Sequence, residues 1–202
     1  HGFFMTSDDE DENSDDVIGT HFTFPNYPFR ASGHWVRTGD NFNPALGFVR
    51  RRGGESTGLG FTYYFEQPEN ELLEDISVGA EYDRYEWLDG DLDSDELEIN
   101  LIGIRTLSGD FLGLEVEFER DILQEPFEII DEVIIPSSEY KGIDFELEFR
   151  SSSNRPVFGE FEIAYGHFYG GKATNTEIDL SWRPSKYFQL DFEIASTMAR
   201  LP

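Results

Sequence analysis

The residues best suited to chemistry in this chain are carboxylates, and one run of them alternates: Asp89, Asp91, Asp93 and Asp95. Hard oxygen ligands at close spacing suit calcium. An EF-hand loop beginning at Asp89 would need Gly at its sixth place and Glu at its twelfth; the chain has Ser94 and Asn100 there, so this is not an EF-hand. What stands is a looser calcium site on Asp89, Asp91, Asp93 and Asp95, against the plain alternative of a solvated acidic turn. A second run, Asp8-Asp9-Glu10-Asp11-Glu12 continued by Asp15 and Asp16, reads first as a solvated outer loop. The four histidines, His1, His21, His34 and His167, are scattered, and no Gly-x-Ser-x-Gly nucleophile motif accompanies them. Phosphate loops, dinucleotide fingerprints and zinc signatures are equally missing from the sequence. Arg50, Arg51 and Arg52 form the dense basic cluster of the chain. They suit an anion or lipopolysaccharide phosphate, a charge-balancing loop, or a loop folded inward onto acids. Phe42, Leu46, Phe48 and Val49 give that loop apolar residues to pack and favour the inward fold.

The elements that must position these groups are strands. Ile143, Phe145, Leu147 and Phe149 alternate with Asp144, Glu146 and Glu148; Leu112, Leu114, Val116 and Phe118 alternate with Glu115, Glu117 and Glu119. Phe188, Leu190, Phe192 and Ile194 repeat the pattern against Gln189, Asp191 and Glu193. Successive side chains of a strand point to opposite faces, so each strand has one greasy and one charged face. The pattern predicts about ten strands, over 17–24, 29–37, 57–65, 76–87, 97–107, 111–123, 143–150, 157–169, 174–182 and 187–198, with the tail of one more at 2–5. These are longer than soluble strands usually are and suit tilted membrane crossings.

Composition bounds the function. The chain has 202 residues, 42 acidic and 15 basic, for a formal net charge of -27. That sign repels phosphate backbones, so nucleic acid is not an expected partner. The absence of cysteine removes disulfides, thiolate zinc sites and cysteine nucleophiles. No apolar run is long enough for a membrane helix, which says nothing against a membrane barrel with half-polar strands. Aromatic residues make up 15% of the chain, including 19 Phe. Trp35, Trp87 and Trp182, beside Tyr82, Tyr85 and Tyr187, are expected to form girdles at a lipid–water boundary, as opposed to sugar-stacking platforms.

Connections alternate in length. Those at 25–28, 67–70, 108–110, 151–156 and 183–185 are tight; those at 6–16, 39–54, 89–95 and 124–141 are longer or more acidic, and 170–173 is a short exception. Short turns alternating with long loops are the asymmetry of an outer-membrane barrel.

Several runs carry a family resemblance: Gly39-Asp40-Asn41-Phe42-Asn43-Pro44-Ala45-Leu46-Gly47-Phe48-Val49, then Ser153-Asn154-Arg155-Pro156, Gly166-His167-Phe168-Tyr169-Gly170-Gly171, and Leu180-Ser181-Trp182-Arg183-Pro184-Ser185. Their order and spacing, from about Val17 onward, resemble an uncharacterised bacterial envelope family. Its members join an N-terminal domain similar to carbohydrate-binding module family nine to a C-terminal outer-membrane β-barrel. The resemblance implies such a domain upstream of His1 and further strands downstream of Pro202. It implies no activity.

The expectation is therefore an all-β chain, 1–202 a segment of an antiparallel up-and-down transmembrane β-barrel in the outer membrane of a Gram-negative envelope. It is expected to act as a porin-like pore, an anchor or a docking scaffold and not as an enzyme. Its partners would be membrane lipid, other envelope proteins and the upstream carbohydrate-binding-like domain. Two alternatives are a soluble extracellular carbohydrate-binding β-sandwich and a barrel hydrolase. In the barrel, Leu112, Leu114, Val116, Phe118, Phe145 and Leu147 face lipid, and the acids face the interior with Arg84, Arg105, Arg120 and Arg150 offsetting part of their charge.

Overall fold

The computed structural model describes residues 1–8, 14–43, 51–130 and 133–201. Thirteen strands follow one another without a helix among them: β1 (Gly2–Asp8), β2 (Ser14–Phe24), β3 (Phe29–Thr38), β4 (Gly54–Glu66), β5 (Leu73–Trp87), β6 (Leu92–Thr106), β7 (Phe111–Ile122), β8 (Phe127–Ile130), β9 (Val133–Ile135), β10 (Glu139–Arg150), β11 (Val157–Phe168), β12 (Gly171–Ser185) and β13 (Phe188–Arg200). Eleven pair in sequence order as one antiparallel sheet, and β8 with β9 forms a separate small hairpin inside the connection from β7 to β10. This is the expected meander. Among the described residues β1 and β13 each pair on one side only, so the sheet is not closed.

The register keeps the greasy face intact from strand to strand. Phe118 pairs with Ile143, Val116 with Phe145, Leu114 with Leu147 and Leu112 with Phe149. A bulge at Leu101 lets Asn100 face Glu115 while Ile102 faces Leu114, restoring the phase that one extra residue would otherwise invert. Leu112, Leu114, Phe118, Ile143, Phe145, Leu147 and Phe149 are all exposed. Val116 shares their face but is only 8% exposed, being shorter than its cross-strand neighbours Ile99 and Phe145. A soluble sandwich would bury this face under a second sheet. The other sheet among the described residues is the β8–β9 hairpin, so the sandwich reading does not describe this chain.

The strands run past the greasy pattern at their loop ends, and the reason is ionic. β6 begins at Leu92 and β10 at Glu139, several residues before the alternation becomes apolar. One step beyond Tyr82, Leu97 and Phe118 on the same outward face, Arg84 pairs with Asp95 and Asp95 with Arg120 in the register. The Arg120 Nε donates to Asp95 at 2.8 Å, and Glu139 receives Lys141 at 2.8 Å. Arg84 meets Glu86 at 2.5 Å, and Arg37 meets Glu55 at 3.6 Å. Arg84 and Arg120, expected in the interior, thus belong to an outward ionic belt: each lies two positions from an outward apolar neighbour, Tyr82 or Phe118. The apolar band beneath it, six residue steps from Ile143 to Phe149, is about 20 Å along the strand.

At the opposite end the tight turns are stitched together. Asp110, in the β6–β7 turn, accepts Arg155 Nη1 and Nη2 at 2.5 and 2.6 Å, the Ser152 N–H at 2.9 Å and the Ser108 hydroxyl at 2.9 Å. Arg183 donates to the Ser153 carbonyl oxygen at 2.6 Å. Gly109 supports the turn with φ +88°, a backbone region that other residues enter only under strain. The tight turns thus share one end, and the loops through Asn43 and Ile130 emerge at the other.

The Arg155 guanidinium and the Ser152 N–H hold the Asp110 carboxyl well below the usual carboxylate range. A folded value below the unfolded one, about 4, means the clasp contributes fully above pH 4–5 and is lost as pH falls through the folded value. The stability difference between wild type and Asp110→Asn should therefore be constant above about pH 5 and shrink below about pH 4. Urea unfolding across that range checks it; an unchanged difference down to pH 2 would show that the ionised carboxylate contributes nothing.

Candidate functional site

Period-two alternation combined with in-register pairing forces the acids into rows. On the inner face Glu81 of β5 pairs with Glu98 of β6, Glu98 with Glu117 of β7, and Glu117 with Asp144 of β10. One step toward the turn end, Asn100, Glu115 and Glu146 form the next row. A further step gives Glu148, Glu162 and Glu177. Directly opposed side chains lie roughly 5 Å apart at Cβ, so like charges here repel. These acids are mostly half-buried while their apolar neighbours are exposed, the signature of a sheet curved toward its acidic face. Glu98, Glu115, Glu117, Asp144, Glu146 and Glu162 line one cavity of about 250 Å³. The Asn100 side-chain amide donates to Glu115 at 3.1 Å, and its carbonyl oxygen is buried without a partner among the described residues.

Inward cations are zoned at the two ends. Arg150 donates to Glu160 at 3.0 and 3.1 Å and also contacts Glu148, as expected of a lumenal counter-charge. Arg105 lies 3.9 Å from Asp75, and both Arg105 and Arg150 sit 6.0 Å from the Phe111 ring. Arg30 stacks 4.9 Å from the Tyr64 ring. All three stand near the tight turns. The middle of the wall is left acidic.

At the loop end Arg51 reaches inward, as the apolar residues of its loop suggest. Its Nη1 donates to Asp93 at 2.8 Å and to Ser94 at 3.1 Å, and its guanidinium lies 4.9 Å from the Tyr85 ring. Tyr85 and Trp87, edge to face at 5.5 Å, share the inward face and are not girdle residues. Trp35 and Tyr82 face outward at the loop end and Trp182 outward at the turn end, where it meets Phe188 at 6.2 Å. Counting residues in twos from the nearest outward apolar residue would have separated these groups.

The four candidate calcium ligands divide their work. Asp89 accepts the Asp91 N–H at 3.0 Å, Asp93 holds Arg51, and Asp95 holds Arg120 on the outward face. Among the described residues no group of three or more His, Asp or Glu is placed to hold a metal ion. Residues 9–13 and 44–50 lie outside the described residues, so the middle of the acidic run that begins at Asp8, and Arg50, are not placed. Arg52 donates to the Asn43 side chain at 3.3 Å.

One His–carboxylate convergence does occur. His34 Nε2 lies 3.0 Å from Ser56 Oγ and 3.7 Å from Asp83 Oδ1. Both partners face the same nitrogen. A hydrolase triad needs its carboxylate on the other ring nitrogen, to fix the tautomer that accepts the serine proton. Sequence reading had no signal for this trio, because its members sit on three strands.

No family model matches the chain, and no curated protein matches it. A solved structure, the crystal structure of Acinetobacter baumannii OccAB2, matches with a TM-score of 0.59 at 12% identity, over 92% of this chain and 49% of that one. The chain spans about half the length of that structure. At such identity the likeness is one of fold alone: an all-β antiparallel meander.

The acid rows have an energetic consequence. Glu117 stands between Glu98 and Asp144, so Glu117→Gln should stabilise the sheet at pH 7 by about 0.2–1 kcal/mol, with the gain fading at high salt. Chemical unfolding at low and high ionic strength measures it. A destabilised variant would mean that Glu117 is held by a favourable partner.

Proposed function

We propose that this chain forms part of the wall of an outer-membrane β-barrel in a Gram-negative envelope, and that the barrel is a non-enzymatic pore selective for cations. The observation that carries this reading is the row Glu81, Glu98, Glu117, Asp144 crossing four adjacent strands on the inner face while the outer face of the same strands is apolar. Carboxylates on low-dielectric walls concentrate negative potential, draw cations in and keep anions out. The outward ionic belt supports the membrane placement, since it caps the apolar band at the level where lipid head groups begin. Membrane lipid is then the immediate partner. The upstream carbohydrate-binding-like domain and other envelope proteins complete the reading as partners, with the barrel as their anchor.

Calcium enters only at the loop end. With Asp93 and Asp95 taken by arginines, an ion at this turn would draw on Asp89 and Asp91, a sparse set for a cation that takes six to eight oxygens.

Two measurements test the reading. Planar-bilayer recording of the complete protein under a KCl gradient should give a reversal potential on the cation side that weakens as salt rises. Anion selectivity would overturn the acidic-lumen assignment, and a lack of conductance would leave an anchor in place of a pore. Val116→Arg should cost roughly 2–4 kcal/mol of folding stability in lipid vesicles, the penalty for a cation on a lipid face near the midplane. A cost near zero would place that face outside lipid.

A further inference from the structure

The connection from β3 to β4 does not stand away from the sheet. Before its undescribed middle it is tied down residue by residue: the Gly39 N–H donates to the Asp16 carbonyl oxygen at 2.9 Å, the Asn41 N–H to the Asp15 carboxylate at 2.9 Å, and the Asn43 N–H to the Ser7 hydroxyl at 2.9 Å. Phe42, between these anchors, is 3% exposed. After the middle the chain is tied down again. The Gly53 N–H donates to the Gly39 carbonyl oxygen at 3.3 Å, the Leu88 N–H to the Gly53 carbonyl oxygen at 2.9 Å, and the Tyr85 hydroxyl to the Arg52 carbonyl oxygen at 3.2 Å. Gly53 has φ +71°, and a Cβ there would lie 2.2 Å from an Asp40 carboxylate oxygen, so the close return of the strap requires glycine.

These anchors fix where Arg51 sits. Its guanidinium crosses the inner face of β5 over Tyr85 and ends on β6 at Asp93 and Ser94. It thereby lines a cavity of about 600 Å³ together with Asp83, Glu96, Glu119 and Asp121. Glu119 and Asp121 have no cationic partner among the described residues. Arg30, Arg105 and Arg150 all stand at the far, turn end. A solute arriving from the loop end therefore meets the Arg51 guanidinium, held on Asp93 and Ser94, before it meets the acid rows.

We propose that Arg51 is the selectivity-determining residue at the loop-end mouth: a fixed guanidinium that opposes the acidic wall and limits how strongly the pore favours small cations. This rests on the pore reading above and adds the residue that tunes it. Asp93 and Tyr85 act as positioning residues, holding the charge over the opening and keeping it from swinging into solvent. One unit charge about 7 Å from a passing ion through water changes its energy by about one RT. Losing Arg51 should therefore favour cations and disfavour anions by roughly threefold each, raising the K⁺ over Cl⁻ ratio by up to about sevenfold at low salt, and by less as screening increases.

The chain has no cysteine, which makes the test direct. Arg51→Cys, made in the complete protein and recorded in planar bilayers under a KCl gradient, can be modified with a positively charged or a negatively charged methanethiosulfonate. Arg51→Gln and unmodified Arg51→Cys should both show the higher K⁺ over Cl⁻ permeability ratio. The positive reagent should return it toward wild type, the negative one should raise it further, and Arg51→Lys should resemble wild type. If wild type is cation-selective but the ratio is the same in every one of these forms, Arg51 does not set it and the proposal falls while the acidic-wall reading stands. If wild type is anion-selective or passes no current, the pore reading fails and takes this one with it. A properly inserted Arg51→Lys guards against mistaking a folding defect for a charge effect.

Discussion

Carboxylates in register across neighbouring strands repel one another, and that repulsion shapes how charge is arranged in this molecule. From β5 onward the strands alternate acid and hydrocarbon, and antiparallel pairing in phase places acid beside acid on one face. A one-residue slip would move a strand's acids to the apolar side, so the register that gathers the charge is also the one that keeps the outer face greasy. The molecule cannot relieve the repulsion by shifting strands. It can only place cations, or admit them.

The cations it places are kept away from the middle. On the inner face Arg30, Arg105 and Arg150 crowd the turn end, two of them beside Phe111. On the outer face Arg37, Arg84, Arg120 and Lys141 alternate with Glu55, Glu86, Asp95 and Glu139 just beyond the apolar band. An arginine among the outward apolar residues would be expensive in lipid. One in the middle of the inner face would cancel the field of the acid rows. The ends are where both demands are met, and the same ends carry the Asp110–Arg155 clasp and the Arg51 strap.

The strands were legible in the sequence because their signal is strong and repeated: residues 143–150 admit no other reading than a two-faced strand. The topology followed from the alternation of short and long connections, and the inward fold of the Arg51 loop from its apolar content. The misassigned residues have a common cause. Arg84, Arg120, Tyr85 and Trp87 were sorted by type, as lumenal cations or girdle aromatics, where parity along the strand decides. Counted in twos, Arg120 falls with Phe118 and Trp87 with Asp83. Parity is itself hidden wherever a bulge intervenes, as at Leu101, and no local pattern marks a bulge there. The β8–β9 hairpin is too short to show a period, and the His34, Ser56, Asp83 convergence exists only once three strands are laid side by side.

The inner face is also uneven from strand to strand. β2 to β4 present Gly19, His21, Ser32, His34, Ser56, Gly58 and Gly60 inward through their middle, with Asp15, Arg30 and Glu66 only at their ends, while the acid rows belong to β5 and the strands after it. Gly58 is packed against the His34 ring and the Asp83 carboxylate, and a Cβ there would approach them to 2.2 and 2.4 Å. Strands poor in acids beside strands rich in them make the negative potential of the inner face stronger on one side of the sheet than on the other. The strap that carries Arg51 springs from the neutral side, between β3 and β4, and its guanidinium reaches across β5 to β6. The positive charge is thus delivered from the strands with few acids to the edge of those with many. That geometry places a counter-charge at the loop end without diluting the acid rows below it.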